Sequence, residues 1–145
     1  MKKFALALVA VISTLLMCLS FAACSSDVVG NTYVFDDFKL EFSAGISDSE
    51  KAEIENEFEE MKEIYGKIEF TFKEDGSCPG IMFEEEFYFQ EGDTIYFVRN
   101  KEQADAKDTS HCEFTLKVDG NKLMYTDGGD LGESDYKVTT IFKKK

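Results

Sequence analysis

His111 and Cys112 are neighbours, and their residue types can make a catalytic base and a nucleophile. Because neighbouring residues of a strand point to opposite faces of a sheet, we do not expect this pair to form a Cys–His dyad. His111 is also the only histidine among 145 residues, so one chain cannot supply a multi-histidine metal site. We therefore expect an exposed His111 at a strand edge, no catalytic residue and no enzyme activity.

Cys78 and Cys112 are the two cysteines available for a disulfide if residues 1–23 are removed and Cys24 is modified. In an exported chain such a pair is a candidate bridge. The bridge would close a loop of about 33 residues and stabilise the fold by roughly 3–4 kcal/mol. Two buried free thiols are the alternative, and both interpretations stay open at this point.

Two acidic clusters could bind ligands through carboxylate oxygens. Residues 127–135 combine acids with glycines, as calcium loops do, but they lack the ligand order of an EF-hand. We favour a solvated loop there, with no metal and no cofactor. Within the acidic run 84–86, Glu85 shares parity with Ile81 and Phe87, so it could point inward and bind the polar end of a ligand. A bulge that returns Glu85 to solvent is the favoured alternative.

The first residues have the three-part pattern of a secretory signal. Lys2 and Lys3 precede an uncharged, mostly apolar run at 4–21, and small residues follow it. The run is nearly long enough for a membrane-spanning helix, but several hydroxyl side chains dilute its apolar character. We expect residues 1–23 to be a signal peptide, with a spanning helix as the alternative.

The four residues Phe21-Ala22-Ala23-Cys24 resemble the lipobox of bacterial lipoproteins. The resemblance implies cleavage before Cys24 and attachment of a diacylglyceryl group, with fatty chains such as palmitate, to its sulfur. Phe21 stands where the family usually has leucine. Two acyl chains anchor a protein durably where one does not. We therefore expect a lipid-anchored protein on the extracytoplasmic face of the cell membrane, with residues 24–27 as a short tether.

The charge balance limits the partners. The chain has 16 basic and 29 acidic residues, a net charge of −13, and removal of residues 1–23 takes away two lysines and no acid, leaving −15. A domain this acidic is repelled by nucleic acid and by anionic lipid headgroups, so the lipid anchor must supply membrane attachment. Hydrophobic residues make up 43% of the chain, which is enough for one packed domain at 28–145.

Alternating apolar residues predict a mainly antiparallel sheet. In the first predicted strand the apolar residues occupy odd positions before Asp36-Asp37 and even positions after it. This change of alternation predicts a bulge or a tight turn there. Polar stretches at 100–110 and 126–135 are expected to be exposed loops. The predicted strands lie at about 32–42, 68–73, 81–90, 94–98, 112–118, 122–125 and 136–142.

One amphipathic helix is predicted between the first and second strands. Ser47 and Glu50 have capping-box spacing, and Gly66 is placed to end the helix. Apolar residues then recur every three or four positions on a helix that is otherwise acidic. We expect this stripe to pack against the sheet and the helix to cover one end of it. The stripe consists of Ile54, Phe58, Met61 and Tyr65, with Ile64 beside it.

Two segments, 92–97 and 120–125, share the form Gly-[Asp/Asn]-x-[Ile/Leu]-x-[Phe/Tyr]. Both fit a hairpin turn entering a strand, so consecutive strands should pair antiparallel as a meander that closes into a small barrel or sandwich. With the Asp-Gly turn at 75–77 and the aromatic-lysine end at 142–145, the pattern resembles bacterial lipocalin-like lipoproteins. The chain lacks tryptophan, and with it the Gly-x-Trp of true lipocalins, so the resemblance concerns architecture and transfers no ligand residue.

The abundance of phenylalanine and tyrosine on the inward parity favours a non-enzymatic binding module for a small apolar or amphipathic ligand, with the helix as a lid. The alternative is a solid-cored β module that contacts protein or other cell-envelope material through its exposed loops. Small barrels are often filled by their own side chains, so a hollow or a filled interior distinguishes the binding module from the solid-cored module. A cavity of several hundred Å³ would favour the first.

Overall fold

In the computed structural model, residues 27–80, 87–127 and 135–145 are described. The predicted signal peptide, Cys24, Glu85 and most of the acidic loop at 127–135 lie outside them. The elements of the described part, in chain order, are β1 (Thr32–Phe42), α1 (Asp48–Tyr65), β2 (Glu69–Thr71), β3 (Phe87–Glu91), β4 (Thr94–Val98), α2 (Lys101–Asp105), a 3-10 turn (Thr109–His111), β5 (Phe114–Asp119), β6 (Lys122–Asp127) and β7 (Tyr136–Lys144).

The strands form one seven-stranded antiparallel sheet that curls into a half-barrel. Its order is β2-β1-β7-β6-β5-β4-β3, so β3 to β7 are a meander and β1 returns to pair with the last strand. Gly92 and Gly120 both have a φ of +60° in the two hairpin turns, where L side chains are strained. The prediction of a mainly antiparallel fold with a helix between the first and second strands is confirmed.

The predicted irregularity in β1 is a β-bulge. The register with β7 shifts between Phe35 and Asp37, so the strand gains one residue. Without that extra residue, Tyr33 and Phe38 would face opposite sides of the sheet. With it, Tyr33 lies in the core and Phe38 lines the space beneath α1.

The edges of the sheet, β2 and β3, are bridged by the chain that follows β2. The Tyr88 N–H of β3 donates to the carbonyl of Gly76 at 2.9 Å. Gly80 lies against β2 so closely that a Cβ there would stand 2.6 Å from the carbonyl oxygen of Glu69. This segment therefore lies between the two edges and covers backbone groups that an open sheet would expose.

The capping box at the start of α1 is confirmed. The Ser47 hydroxyl accepts from the Glu50 N–H at 3.3 Å, and the Glu50 carboxylate accepts from the Ser47 N–H at 2.9 Å. The helix ends at Tyr65, directly before Gly66, as predicted. Phe58 is buried against the sheet, whereas Ile64 is 65% exposed and lies off the stripe. Within the described residues, no helix combines the length and apolar character that crossing a bilayer requires.

The main core lies on the inner face of the sheet and includes Tyr33, Phe70, Phe72, Ile95, Phe97, Leu116 and Leu123. The inward direction that the sequence pattern gave to Phe87, and with it to Phe89 two residues later, is wrong. Both lie in a second cluster with Val98 and Ala104, and the residue that β3 gives to the main core is Tyr88. The alternation of phenylalanine along β3 thus correctly indicated a buried face of the strand. That face is the outer face of the sheet and not the inner one.

The predicted loop at 100–110 contains the reason for this second cluster. The Asn100 side chain accepts from the Gln103 N–H at 2.9 Å and caps the short helix α2. Ala104 of that helix is buried against the outer face of β3 and β4. The polar residues of this stretch are exposed as predicted, but the stretch covers apolar surface that we had assigned to the interior.

Candidate functional site

A cavity of about 330 Å³ lies between α1 and the inner face of the sheet. Buried Leu116 and Phe142 lie at its inner end, and exposed Asp127 lies at its open end. The described residues that line it are Phe38, Phe58, Met61, Tyr65, Ile68, Leu116, Tyr125, Asp127, Tyr136, Val138, Thr140 and Phe142. Most of these side chains are apolar or aromatic, so the cavity presents an oily surface to any molecule inside it.

The helix supplies one wall through side chains that are three and four residues apart. Phe58, Met61 and Tyr65 fall on one face of α1 because 3.6 residues make a turn. The same helix is strongly acidic elsewhere, so only this face can be placed against an apolar sheet. Three residues of the predicted stripe, Phe58, Met61 and Tyr65, therefore form a wall of the cavity, and Phe58 also packs against Phe38 of the sheet.

The sheet supplies the opposite wall through alternate residues of neighbouring strands. From β7 these are Tyr136, Val138, Thr140 and Phe142, and the register pairs Val138 with Asp127 of β6. Successive strand residues alternate between faces, so these residues all point inward. The bulge in β1 then adds Phe38 to the same surface.

Aromatic contacts and an ion pair attach α1 to β1. The ring of Phe38 lies 5.1 Å from that of Phe58 and 4.9 Å from that of Tyr65. Lys62 donates to the Asp37 carboxylate at 2.8 Å, and this contact holds the pKa of Asp37 below its usual value. A second groove runs along the other side of the helix, so α1 contacts the sheet along a line between two spaces.

Polar groups gather at the open end of the cavity. Tyr125 and Asp127 are two residues apart on β6 and share its inward face, and Tyr65 lies across from them on α1. Burial raises the pKa of Tyr125 above its usual value, and the nearby Asp127 carboxylate and Tyr65 phenol raise it further. We had assigned Asp127 to an exposed loop. Asp127 follows Tyr125 by two residues and Leu123 by four, and this spacing places the three side chains on the same, inward face of β6.

Neither a protein-family model, nor a curated protein, nor a solved structure matches this chain. The resemblances to lipoproteins and to lipocalin-like barrels therefore stay predictions. The chemistry of the site has to be inferred from its own geometry.

Cys78 and Cys112, for which a disulfide and two free thiols were both left open, are free thiols in this structure. Cys78 is fully buried, which raises the pKa of its thiol to about 12, and Cys112 donates its thiol to the Phe114 carbonyl at 3.0 Å. The segment with Cys78 lies beside β3, and Cys112 directly precedes β5, so β3 and β4 lie between them.

His111 is exposed, as expected, but it lies in a 3-10 turn and not at a strand edge. The argument that neighbouring strand residues point to opposite faces therefore does not apply to His111 and Cys112. The imidazole Nδ1 lies 2.7 Å from an Asp108 oxygen, whereas the thiol of Cys112 donates to a backbone carbonyl. Each side chain thus has a local partner of its own.

Among the residues that the structure describes, no three His, Cys, Asp or Glu side chains converge as they would around a metal ion. The acidic run 84–86 and most of the stretch 127–135 lie outside those residues, so the expectation of no metal there stays a prediction. Glu85 lies outside those residues and stays a prediction. Its assignment to the interior rested on the parity of Phe87, which packs in the outer cluster beneath α2.

Proposed function

We propose that this chain is a non-enzymatic lipoprotein, anchored on the extracytoplasmic face of the membrane, that binds a small apolar or amphipathic molecule between α1 and the sheet. The observation that carries the proposal is the cavity of about 330 Å³ lined by aromatic and aliphatic side chains. Ligand sites are typically concave, mostly apolar and between about 300 and 1,000 Å³, with a few polar groups that fix orientation.

The cavity volume limits the size of the ligand. A cavity of about 150 Å³ accommodates benzene, so 330 Å³ suits an apolar body of about twelve non-hydrogen atoms. An apolar space of this size loses dispersion contacts while it is empty, and a ligand restores them. A hydrocarbon chain or a small ring system fits these dimensions.

The position of the chain start supports a site that opens away from the membrane. Val28 is buried at the end of the sheet where its N–H donates to the Gln90 side chain at 3.3 Å. Asp127, the exposed residue of the cavity lining, marks its more exposed end and lies near the start of β7, because it pairs with Val138. The nine residues of β7 separate these ends by about 26 Å. A tether that leaves through Asp27 would hold the first end near the bilayer and present the cavity to the aqueous side.

The anchoring part of the proposal rests on Cys24 and the residues before it. Labelled palmitate supplied to a bacterial host should be incorporated into the wild-type chain and not into a Cys24→Ala variant. The variant should also move from the membrane fraction to the soluble fraction. Equal labelling of both chains would contradict lipidation at this cysteine.

The binding part can be tested on a soluble form that starts at residue 24 with Cys24→Ser, since the strands and helices of the described residues lie between Thr32 and Lys144. 1-Decanol should bind and raise the midpoint of thermal unfolding. At a concentration one hundred times its dissociation constant, the free energy of unfolding should increase by about 2.7 kcal/mol. Butanol is the control, because its tail is too short to fill the cavity.

Native mass spectrometry of the same sample should show one decanol per chain. If neither decanol nor a panel of other hydrophobic compounds binds or shifts the midpoint, the cavity is not a ligand site. The solid-cored interaction module would then be the function to pursue.

A further inference from the structure

Three threonines are the polar residues that the described part of the structure buries most deeply. Thr94, Thr139 and Thr140 are 8%, 9% and 7% exposed. A buried hydroxyl group costs free energy unless it has a hydrogen-bond partner, so most such groups in proteins have one. The partner of each hydroxyl therefore indicates what that threonine does.

Two of the three hydroxyls are bonded within the protein. The Thr94 hydroxyl donates to the Asp93 carboxylate at 3.0 Å and accepts from the Lys117 ammonium at 2.6 Å. The Thr139 hydroxyl lies 3.2 Å from that of Thr126, which is its partner in the register of β6 and β7. Both threonines therefore serve the fold itself.

Thr140 differs from them, because it lines the cavity beneath α1. It lies on the inner face of β7 between Val138 and Phe142, which line the same space. No hydrogen bond joins its hydroxyl to another of the described residues. Every side-chain nitrogen or oxygen that is fully enclosed in the described part does have a partner. The Thr140 oxygen is therefore not enclosed by protein, and it opens into the cavity.

The surroundings of this hydroxyl limit the group that can bond it. Successive inward residues of a strand are about 7 Å apart, so Thr140 lies about that far from Phe142 at the inner end. The residues paired with Thr140 on the two neighbouring strands are aromatic, Phe38 and Tyr125. A plain hydrocarbon chain would leave the hydroxyl without a partner, and a charged group would lose its hydration there. A neutral polar group on a ring avoids both costs.

We infer that the ligand is a flat ring compound with a neutral hydroxyl group, and that this group bonds the hydroxyl of Thr140. The inference rests on the proposed function, because it specifies the ligand class of that same cavity. A threonine hydroxyl can donate and accept, so it suits an alcohol or a phenol in either direction. The rings of Phe38 and Tyr125 favour a ring as the body of the ligand, through edge or offset contacts.

2-Naphthol and naphthalene test the inference, because they share one ring system and differ by a single hydroxyl group. At pH 7 a phenolic hydroxyl is protonated and neutral. Equilibrium dialysis of the Cys24→Ser form gives both dissociation constants, and their ratio is the quantity to compare between variants. Thr140→Val replaces the hydroxyl with a methyl group of similar size. It should weaken the binding of naphthol relative to naphthalene by about two- to tenfold, the range for one neutral hydrogen bond.

Thr139→Val is the matched control, since it makes the same change at the neighbouring and similarly buried residue of β7, whose hydroxyl bonds Thr126 instead. It should leave the ratio unchanged. Thr140→Ser keeps the hydroxyl and should keep the ratio as well. Without any ligand, Thr140→Val should unfold at a temperature no lower than the parent protein, because the change removes no hydrogen bond within the described residues.

The outcomes separate this inference from the proposed function. If naphthol, naphthalene and decanol all fail to bind the parent protein, the binding function itself fails. If decanol binds and neither ring compound does, or if Thr140→Val leaves the ratio unchanged, only the ligand class is refuted. The same holds if Thr139→Val changes the ratio as much. A clear fall in the unfolding temperature of Thr140→Val would show that its hydroxyl serves the fold, and would also overturn the inference.

Discussion

Replacing Phe97 by alanine should lower the free energy of unfolding by about 3–5 kcal/mol. Phe97 is fully buried, and its ring is stacked on Phe114 with 4.4 Å between the ring centroids. It also lies 6.1 Å from Phe72 and 6.4 Å from Tyr88, so it joins the middle of the sheet to the segment that bridges its edges. Urea unfolding followed by circular dichroism measures the change.

The size of this loss matters because a whole domain is stable by only about 5–15 kcal/mol. Ile64→Ala is the matched control, since Ile64 is also a large apolar residue but is 65% exposed on α1. It should change the stability by less than about 0.5 kcal/mol. A loss below about 1 kcal/mol in Phe97→Ala, with an unchanged denaturant slope, would contradict the core described above.

Local patterns were sufficient to predict the elements that depend on nearby residues. The capping box at Ser47 and the end of α1 before Gly66 depend on hydrogen bonds and conformations within one turn. The bulge near Asp36 was visible because two apolar phases occur in one strand. Such features are encoded over a few residues, so they can be read before the fold is known.

Features that depend on distant residues were harder to predict. The alternation in β3 does not say which face is inside, and Phe87 and Phe89 pack outside because α2 provides them with a cover. That helix has only five residues, too few for periodicity to identify it. The stretch from 72 to 80 closes the edge of the sheet through contacts with β3, which no local pattern reveals.

The cavity is an intermediate case. The helical stripe and the strand that becomes β7 were both predicted, but the space between them is a property of the packed structure. Whether a helix lies directly on a sheet or leaves a space depends on the volumes of the side chains along their contact. Here the rings of Phe38 and Phe58 are in contact, and both line the cavity. Asp127 was missed because acids and glycines follow it in the sequence, although it is the last residue of β6.

Val138→Trp should reduce the affinity for decanol at least tenfold. Val138 lines the middle of the cavity on β7, so an indole there would occupy space that a ligand needs. Asp127, paired with it in the register of β6 and β7, offers an acceptor for the indole N–H. The natural chain has no tryptophan, so the new side chain also reports its own surroundings by fluorescence. Its emission should be blue-shifted, as for an indole in an apolar site.

Ile141→Trp is the matched control, because Ile141 is on the same strand but in register with Met124 on the outer face. This variant should emit at longer wavelength and keep the affinity of the parent protein. Met61→Trp approaches the cavity from α1 and provides an independent route to the same loss of binding if Val138→Trp unfolds the sheet. Circular dichroism and the thermal midpoint identify which variants are folded. A folded Val138→Trp protein that binds decanol as tightly as the parent would place the ligand elsewhere, because a cavity filled from within cannot retain its affinity.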